Sequence, residues 1–151
     1  MRSEKVERFR AASRLYSDTS MLLHEAIARR AGLSGTDHKY LGFIIQKGKI
    51  TAGELAKLSG LTTGAVTGLI DRLEKKKLVK RQFDDQDRRK VIIVPNTANA
   101  MKLLKPLFAN LQARSTDLIL SLSNKELQIV ENYFLAAIEI MKKTTTELNR
   151  D

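Results

Sequence analysis

The stretch that decides the fold runs from residue 51 to residue 75 and reads TAGELAKLSGLTTGAVTGLIDRLEK. It begins with a capping box, in which the hydroxyl of Thr51 accepts from an orphan helix N–H and the Glu three residues later reaches back to the cap. The helix opened by this box is short, because a Ser-Gly pair follows at residues 59–60. A further helix starts at Thr62 or Thr63. The stretch therefore predicts two short helices joined by a tight turn.

After the second helix the hydrophobic periodicity changes from helical to alternating. Residues 78–83 and 89–94 are predicted as two β-strands, the second of them rich in β-branched side chains. Between them the polar residues 84–87 (DDQD) form a turn. Nine basic and five acidic residues lie within 71–94, the densest positive charge in a chain whose formal net charge is +10. This basic hairpin indicates an anionic partner such as nucleic acid.

A short helix, a Ser-Gly turn, a second helix and a β-hairpin, in that order, are typical of a winged helix-turn-helix domain. The major groove of B-DNA, about 12 Å wide, admits one helix, which a second helix must hold in place. The hairpin beside it can reach the neighbouring minor groove. We expect a fold that is mainly α with a small β-hairpin wing, in which residues 36–96 form a winged helix-turn-helix domain that binds double-stranded DNA.

Further helical segments precede and follow the helix pair and its hairpin. A first helix ends near Gly32, and Thr36 is predicted to cap a second one that stops at Gly48. After the hairpin, a helix begins near Thr97 and contains Pro106, which is expected to kink or locally unwind it. A last helix begins at the capping box of residues 123–126 (SNKE). Each of the first three of these helices carries an apolar stripe. The stripe of the first helix is Val6, Phe9, Tyr16, Leu23 and Ile27. The residues predicted to face inward are Tyr40, Leu41, Ile44 and Ile45 in the second helix, and Met101, Leu104, Leu107, Phe108 and Leu111 in the helix after the hairpin.

Other classes of protein find little support in the residues. The absence of cysteine excludes disulfide scaffolds, Cys-ligated zinc, iron–sulfur clusters and thiol chemistry. Residues 60–64 (GLTTG) lack the Lys-Ser/Thr that completes a phosphate-binding loop. His24 and His38 lie in different predicted helices without the spacing of a metal site, and each is expected to be an ordinary surface or partly buried residue. We therefore expect no enzyme, no catalytic residue, no metal and no cofactor.

The sequence shows neither a signal peptide nor a membrane span. Seven of the first ten residues are polar or charged. No apolar run approaches the roughly 18 residues that a spanning helix needs. We expect a cytoplasmic protein with no membrane partner.

Residues 55–75 (LAKLSGLTTGAVTGLIDRLEK) resemble the helix-turn-helix of the MarR family of bacterial transcriptional regulators. Residues 78–81 (LVKR) and 84–89 (DDQDRR) resemble the wing of that family, where an Asp-Arg-Arg group is characteristic. The resemblance implies a homodimeric repressor of a pseudo-palindromic operator, with residues 1–35 and 97–151 forming a helical dimerisation region. It also implies release by a small lipophilic or phenolic effector, for which no binding residue is assigned.

The second helix of the pair is predicted to bury its apolar side and to turn its polar side toward the major groove. Threonine hydroxyls there can bond to phosphates or bases, and their methyl groups can contact the thymine methyl. Arg72 and Lys75 either meet phosphates or brace the helix, and Asp87 orients an arginine or tightens the turn. The guanidinium of Arg88 suits the narrow minor groove of A·T-rich DNA. The predicted core positions are Val66, Leu69, Ile70 and Leu73, and the predicted DNA-contacting residues are Thr62, Thr63, Gly64, Thr67, Arg72, Lys75, Arg88 and Arg89.

One alternative remains open from the sequence. A winged domain can also serve as a protein- or RNA-interaction module, which would bind duplex DNA weakly and without preference for any sequence. A regulator should instead lose affinity steeply as salt rises.

Overall fold

The computed structural model describes residues 2–84, 87 and 90–149. The chain divides into two compact units, Met1–Phe108 and Ala109–Asp151. The elements are α1 (Arg2–Arg30), α2 (Gly35–Lys47), β1 (Ile50–Thr51), α3 (Ala52–Ser59), α4 (Thr63–Lys75), β2 (Val79–Phe83), β3 (Val91–Pro95), α5 (Thr97–Leu120) and α6 (Asn124–Leu148).

The three strands form one antiparallel sheet in the order β1-β3-β2. Ile93 at its centre pairs with Ile50 on one side and Arg81 on the other. The strand predicted to end at residue 94 includes Pro95, which pairs with Val79. Because a proline has no N–H to donate to the ladder, it is disfavoured inside a strand, and here it lies at the last position of β3. The hairpin closes one residue later, where the Asn96 N–H donates to the Leu78 carbonyl at 2.8 Å.

The core of the first unit lies under α4. All four residues predicted to face inward from this helix are at most 1% exposed, which confirms the helical periodicity of the stretch. They pack in one cluster with buried residues of α2, α3 and the sheet. Burial of this side leaves the opposite side of α4 at the surface. The largest buried side chains of the cluster are Leu41, Ile44, Leu55, Leu69, Ile70, Leu73, Ile93 and Val66.

The start of α2 differs from the prediction. Its N-cap is Ser34, whose hydroxyl accepts from the Asp37 N–H at 3.0 Å, and not Thr36. Gly35 is the first residue of the helix, and its lack of a side chain leaves room for Glu25, since a Cβ here would lie 1.8 Å from a carboxylate oxygen of that residue. The helix therefore begins two residues earlier than predicted, and Asp37 lies in its first turn.

Several predicted apolar positions are not covered by this chain. In α1, Ile27 is buried, whereas Val6, Phe9, Tyr16 and Leu23 are between 36% and 68% exposed. In the helix after the hairpin, Leu104 is buried, and Leu107 and Phe108 pack against the core. The inward prediction is wrong for Met101 and Leu111, and Ile45 is only partly buried. The apolar stripes extend beyond the part of each helix that the core of the first unit reaches.

Pro106 lies within α5 without interrupting it. The helix is continuous from Thr97 to Leu120, so the predicted local unwinding is wrong. A proline inside a helix removes one hydrogen bond and crowds the carbonyl of the preceding turn, yet α5 remains helical through this position.

Candidate nucleic-acid interface

The turn between α3 and α4 is built from local hydrogen bonds. The capping box predicted at Thr51 is present, with the Glu54 N–H donating to its hydroxyl at 3.2 Å and its own N–H donating to the Glu54 carboxylate at 2.7 Å. Gly60 ends α3 in the left-handed region (φ 68°), which favours glycine. Thr62 then caps α4, accepting from the Ala65 N–H at 3.3 Å. These contacts fix the angle at which α4 leaves the turn.

The outer side of α4 presents the predicted small and polar groups. Thr62, Thr63, Gly64 and Thr67 are all exposed. The Thr67 hydroxyl donates to the Thr63 carbonyl at 3.0 Å, which leaves its oxygen lone pairs and its methyl group facing outward. A Cβ at Gly64 would meet nothing within 4 Å, so a neighbouring molecule can approach the backbone there.

Arg72 on α4 is held by a residue of α2. Its Nε and Nη2 donate to the two carboxylate oxygens of Asp37 at 2.9 and 2.7 Å. The Asp37 side chain is 4% exposed, and that of Arg72 is 54% exposed. Hydrogen bonding to this carboxylate raises the pKa of the Arg72 guanidinium. Of the two roles predicted for Arg72, the structure displays the brace, and Lys75 lies exposed at the end of the same helix.

Arg81 connects α4 to a second element, the wing strand β2. Its backbone N–H donates to Glu74 at 3.0 Å, and its guanidinium binds both Glu74 and Asp71, the latter at 2.5 Å. The Asp71 carboxylate is thereby paired with a cation of the wing strand. Helix α4 is therefore attached to α2 through Arg72 and to the sheet through Arg81.

The wing tip lies partly outside the described residues, and both Arg88 and Arg89 fall there. The flanking backbone forms a closed hairpin end, in which Asp84 N–H donates to the Lys90 carbonyl at 3.0 Å and Lys90 N–H donates to the Asp87 carbonyl at 2.8 Å. The Asp87 N–H donates to the Asp84 carboxylate at 3.2 Å. Asp87 thus takes part in tightening the turn, one of its two predicted roles.

A second site, which the sequence did not reveal, lies where α1, α2 and α5 meet. His24 Nδ1 and His38 Nε2 are 3.2 Å apart, and both rings lie about 6 Å from the ring of Phe108. They line a cavity of about 650 Å³ whose other walls include Met21, Ile45, Met101 and Leu104. The expectation of an ordinary surface or partly buried residue is confirmed for the exposed His24 and is wrong for the buried His38. One sequence signal could have indicated that the two histidines lie close together. Each is within two helical turns of the short connection between α1 and α2.

His38 is the more constrained member of the pair. It is 7% exposed, and its Nδ1 is buried without a hydrogen-bond partner among the described residues. Burial lowers the pKa of His38, the neighbouring His24 lowers it further, and Glu25 partly opposes the shift. Burial therefore favours the neutral form of His38 through its lowered pKa, and one ring nitrogen has no hydrogen-bond partner among the described residues.

Two negative findings apply to the described part of the chain. It contains no group of three or more His, Cys, Asp or Glu residues placed to hold a metal ion. None of its helices combines the length and apolar character needed to cross a bilayer.

Comparison with known proteins supports the same fold. The family model described as the MarR family matches residues 31–90. Over 131 residues the chain is 40% identical to the Bacillus subtilis (strain 168) protein named uncharacterized HTH-type transcriptional regulator YcgE, covering 87% of this chain and 84% of the relative.

Two solved structures illustrate the similarity of fold. A MarR family protein from Bacillus stearothermophilus has a TM-score of 0.73 at 20% identity, covering 94% of this chain and 99% of that one. The multiple antibiotic resistance repressor MarR has a TM-score of 0.60 at 22% identity, covering 85% and 92%. The predicted fold class, mainly α with a winged helix-turn-helix, is confirmed.

Proposed function

Because the chain belongs to the MarR family of transcriptional regulators, we propose that it is a cytoplasmic, homodimeric repressor of a pseudo-palindromic operator. Its relatives carry names of transcriptional regulators and not of enzymes. One of the structural neighbours is named a repressor. Residues 36–96 would read the DNA, and residues 1–35 and 97–151 would join the two subunits.

The observation that carries the proposal is the construction of α4. One side of this helix is buried in the core, and the opposite side exposes threonine hydroxyls and bare backbone at Gly64. Two separate ion-pair contacts fix the helix to α2 and β2. A rigid helix with a short-chained polar side fits a major groove, where the hydroxyls can reach base edges and phosphates.

The remaining contacts are basic. Lys75 lies at the end of α4 and is assigned to a phosphate. Arg88 is assigned to the adjacent minor groove, and Arg89 to the backbone beside it. Thr62, Thr63, Gly64 and Thr67 are assigned to the major groove.

Uncovered apolar side chains support the homodimer. α6 has no buried residue along its described length, although Val130, Phe134 and Ile138 follow one another at helical spacing and are at least 40% exposed. α1 exposes Phe9, Leu15 and Leu22. Apolar surface of this extent marks an interaction site, and a second copy related by a two-fold axis would cover the same helices on both subunits.

The cavity lined by His24 and His38 is the proposed effector site. Its volume of about 650 Å³ suits a small organic molecule, and its walls are mostly apolar with a few polar groups such as His24, His38 and Lys39. This lining fits a small lipophilic or phenolic compound, the class expected from the family resemblance. Such a compound would release the DNA by binding better to the conformation that cannot hold the operator.

Selection of bound fragments from random duplex DNA tests the proposed function. A two-fold symmetric consensus is expected, with affinity that falls steeply as salt rises. Repeating the selection in the presence of simple phenolic acids is expected to reduce the recovered DNA. Weak binding without any consensus would favour the protein- or RNA-interaction module.

A further inference from the structure

We propose that Asp37 and Arg72 form a positioning pair, in which Arg72 orients the recognition helix α4 through Asp37 and is not itself a phosphate ligand. The inference rests on the proposed function, because it concerns how α4 is presented to DNA. It gives Asp37 an indirect role in DNA binding, which acts through Arg72. Asp37 lies on a different helix, and its negative charge would be repelled by a phosphate.

The first argument is the commitment of the guanidinium. Two of its donors meet the two oxygens of one carboxylate at 2.9 and 2.7 Å, the paired geometry that Arg forms with a carboxylate. A phosphate would have to compete with that bidentate contact for the same positive charge. Releasing Arg72 to DNA would also leave a carboxylate that is 4% exposed without its counter-charge.

The second argument is the placement of Asp37. It lies in the first turn of α2, where its backbone N–H donates to the N-cap Ser34 at 3.0 Å, so the main chain that carries the carboxylate is fixed. α2 packs into the same core as α4 through Leu41 and Ile44. The carboxylate therefore provides a rigid reference point against which the rotation of α4 about its own axis is set.

The third argument is Gly68, one turn before Arg72 on α4. A Cβ at this position would lie 3.4 Å from Nη1 of Arg72, so the guanidinium lies against the bare backbone of the preceding turn. Glycine in a helix interior is less favourable than alanine. A side chain larger than alanine at residue 68 would place further atoms beside Nη1, the guanidinium nitrogen that does not contact Asp37.

The test compares operator affinity and its salt dependence in four variants of the full-length protein. Arg72→Ala and Asp37→Asn should each weaken operator binding about tenfold, and the double variant should be no weaker than either single one, because both remove the same contact. Both should keep the wild-type salt slope. The matched control Lys75→Ala, which removes a proposed phosphate contact from the same helix, should reduce the slope by about 1.

Arg72→Lys separates positioning from charge even if Asp37→Asn fails to fold. Lysine keeps the positive charge but lacks the planar fork, so a positioning role predicts a loss of operator affinity, and a phosphate contact predicts little change. The proposal is overturned if Arg72→Ala lowers the salt slope by about 1 while Arg72→Lys binds as the wild type does. Wild-type protein that selects no DNA consensus would instead overturn the proposed function itself.

Discussion

His38 is the residue whose environment departs most from that of an ordinary surface histidine. One ring nitrogen lies 3.2 Å from His24 and the other is buried without a partner among the described residues. The charged and titratable groups around it are His24, Glu25 and the neighbouring Lys39. Its neutral form is favoured in the folded protein, since burial lowers the pKa below the ordinary value of 6.5.

The lowered pKa of His38 predicts that stability falls in mild acid. The unfolded chain takes up the proton near the ordinary pKa of about 6.5, and the folded chain takes it up only at lower pH. The stabilisation is therefore complete above that value and is lost as the pH falls toward the folded-state pKa. Thermal unfolding of the wild type between about pH 7.5 and pH 5.5 should show a decline in Tm that His38→Gln reduces. An equal decline in both proteins would contradict this assignment.

Arg88 carries a prediction at the wing tip. Arg88→Ala should weaken operator binding by about tenfold or more, because a guanidinium in a narrow minor groove meets a strongly negative potential. The oligomeric state and Tm should not change. Lys125→Ala on α6 removes the same charge from an exposed position far along the chain, and it should bind as the wild type does in a gel-shift titration at moderate salt. Undiminished affinity of Arg88→Ala would refute the assignment.

At the scale of elements, the sequence predicts best what depends on neighbouring residues. The capping boxes at Thr51 and Ser123 and the cap at Thr62 use partners three residues away, and all three are present. The cap of α2 is Ser34 and not the predicted Thr36, because both residues offer a hydroxyl near the start of the helix and the sequence alone does not decide between them. Contacts between elements, such as Asp37 with Arg72, join residues 35 positions apart and leave no local pattern.

The glycines of two elements predict opposite effects of the same substitution. Gly60→Ala should lower the free energy of unfolding by about 1 kcal/mol, since its φ of 68° is strained for any residue with a Cβ. Gly42→Ala should raise it by up to about 1 kcal/mol, because this residue lies inside α2 and a Cβ there meets nothing within 4 Å. Urea unfolding of both variants measures the difference. Equal signs would contradict the backbone assignments.

At the scale of the whole molecule, the sequence identifies apolar stripes but not what covers them. Val66 and Leu73 on α4 are buried by this chain, whereas Phe9 on α1 and Phe134 on α6 are about half exposed. All four follow helical spacing, so periodicity alone does not distinguish a core residue from one that awaits another subunit. The proposed domain organisation depends on that distinction and stays a prediction.

Phe134→Glu tests the dimer. A charge buried against a second copy is costly, so this variant should sediment with the mass of one chain and lose operator affinity. The wild type should have twice that mass. Gln128→Glu introduces the same charge at an exposed polar position of α6 and should remain a dimer. A wild-type particle with the mass of one chain would contradict the proposed assembly.

Asp37 and His38 are consecutive residues of α2, and they face different neighbours. Asp37 binds the recognition helix, and His38 lines the cavity. Both residues belong to one helix, on which successive side chains are about 100° apart. Any ligand that turns this end of α2 therefore also turns the carboxylate that binds Arg72. Ligand binding in the cavity and operator affinity would then be coupled through this dipeptide, so a substitution at either residue would change both.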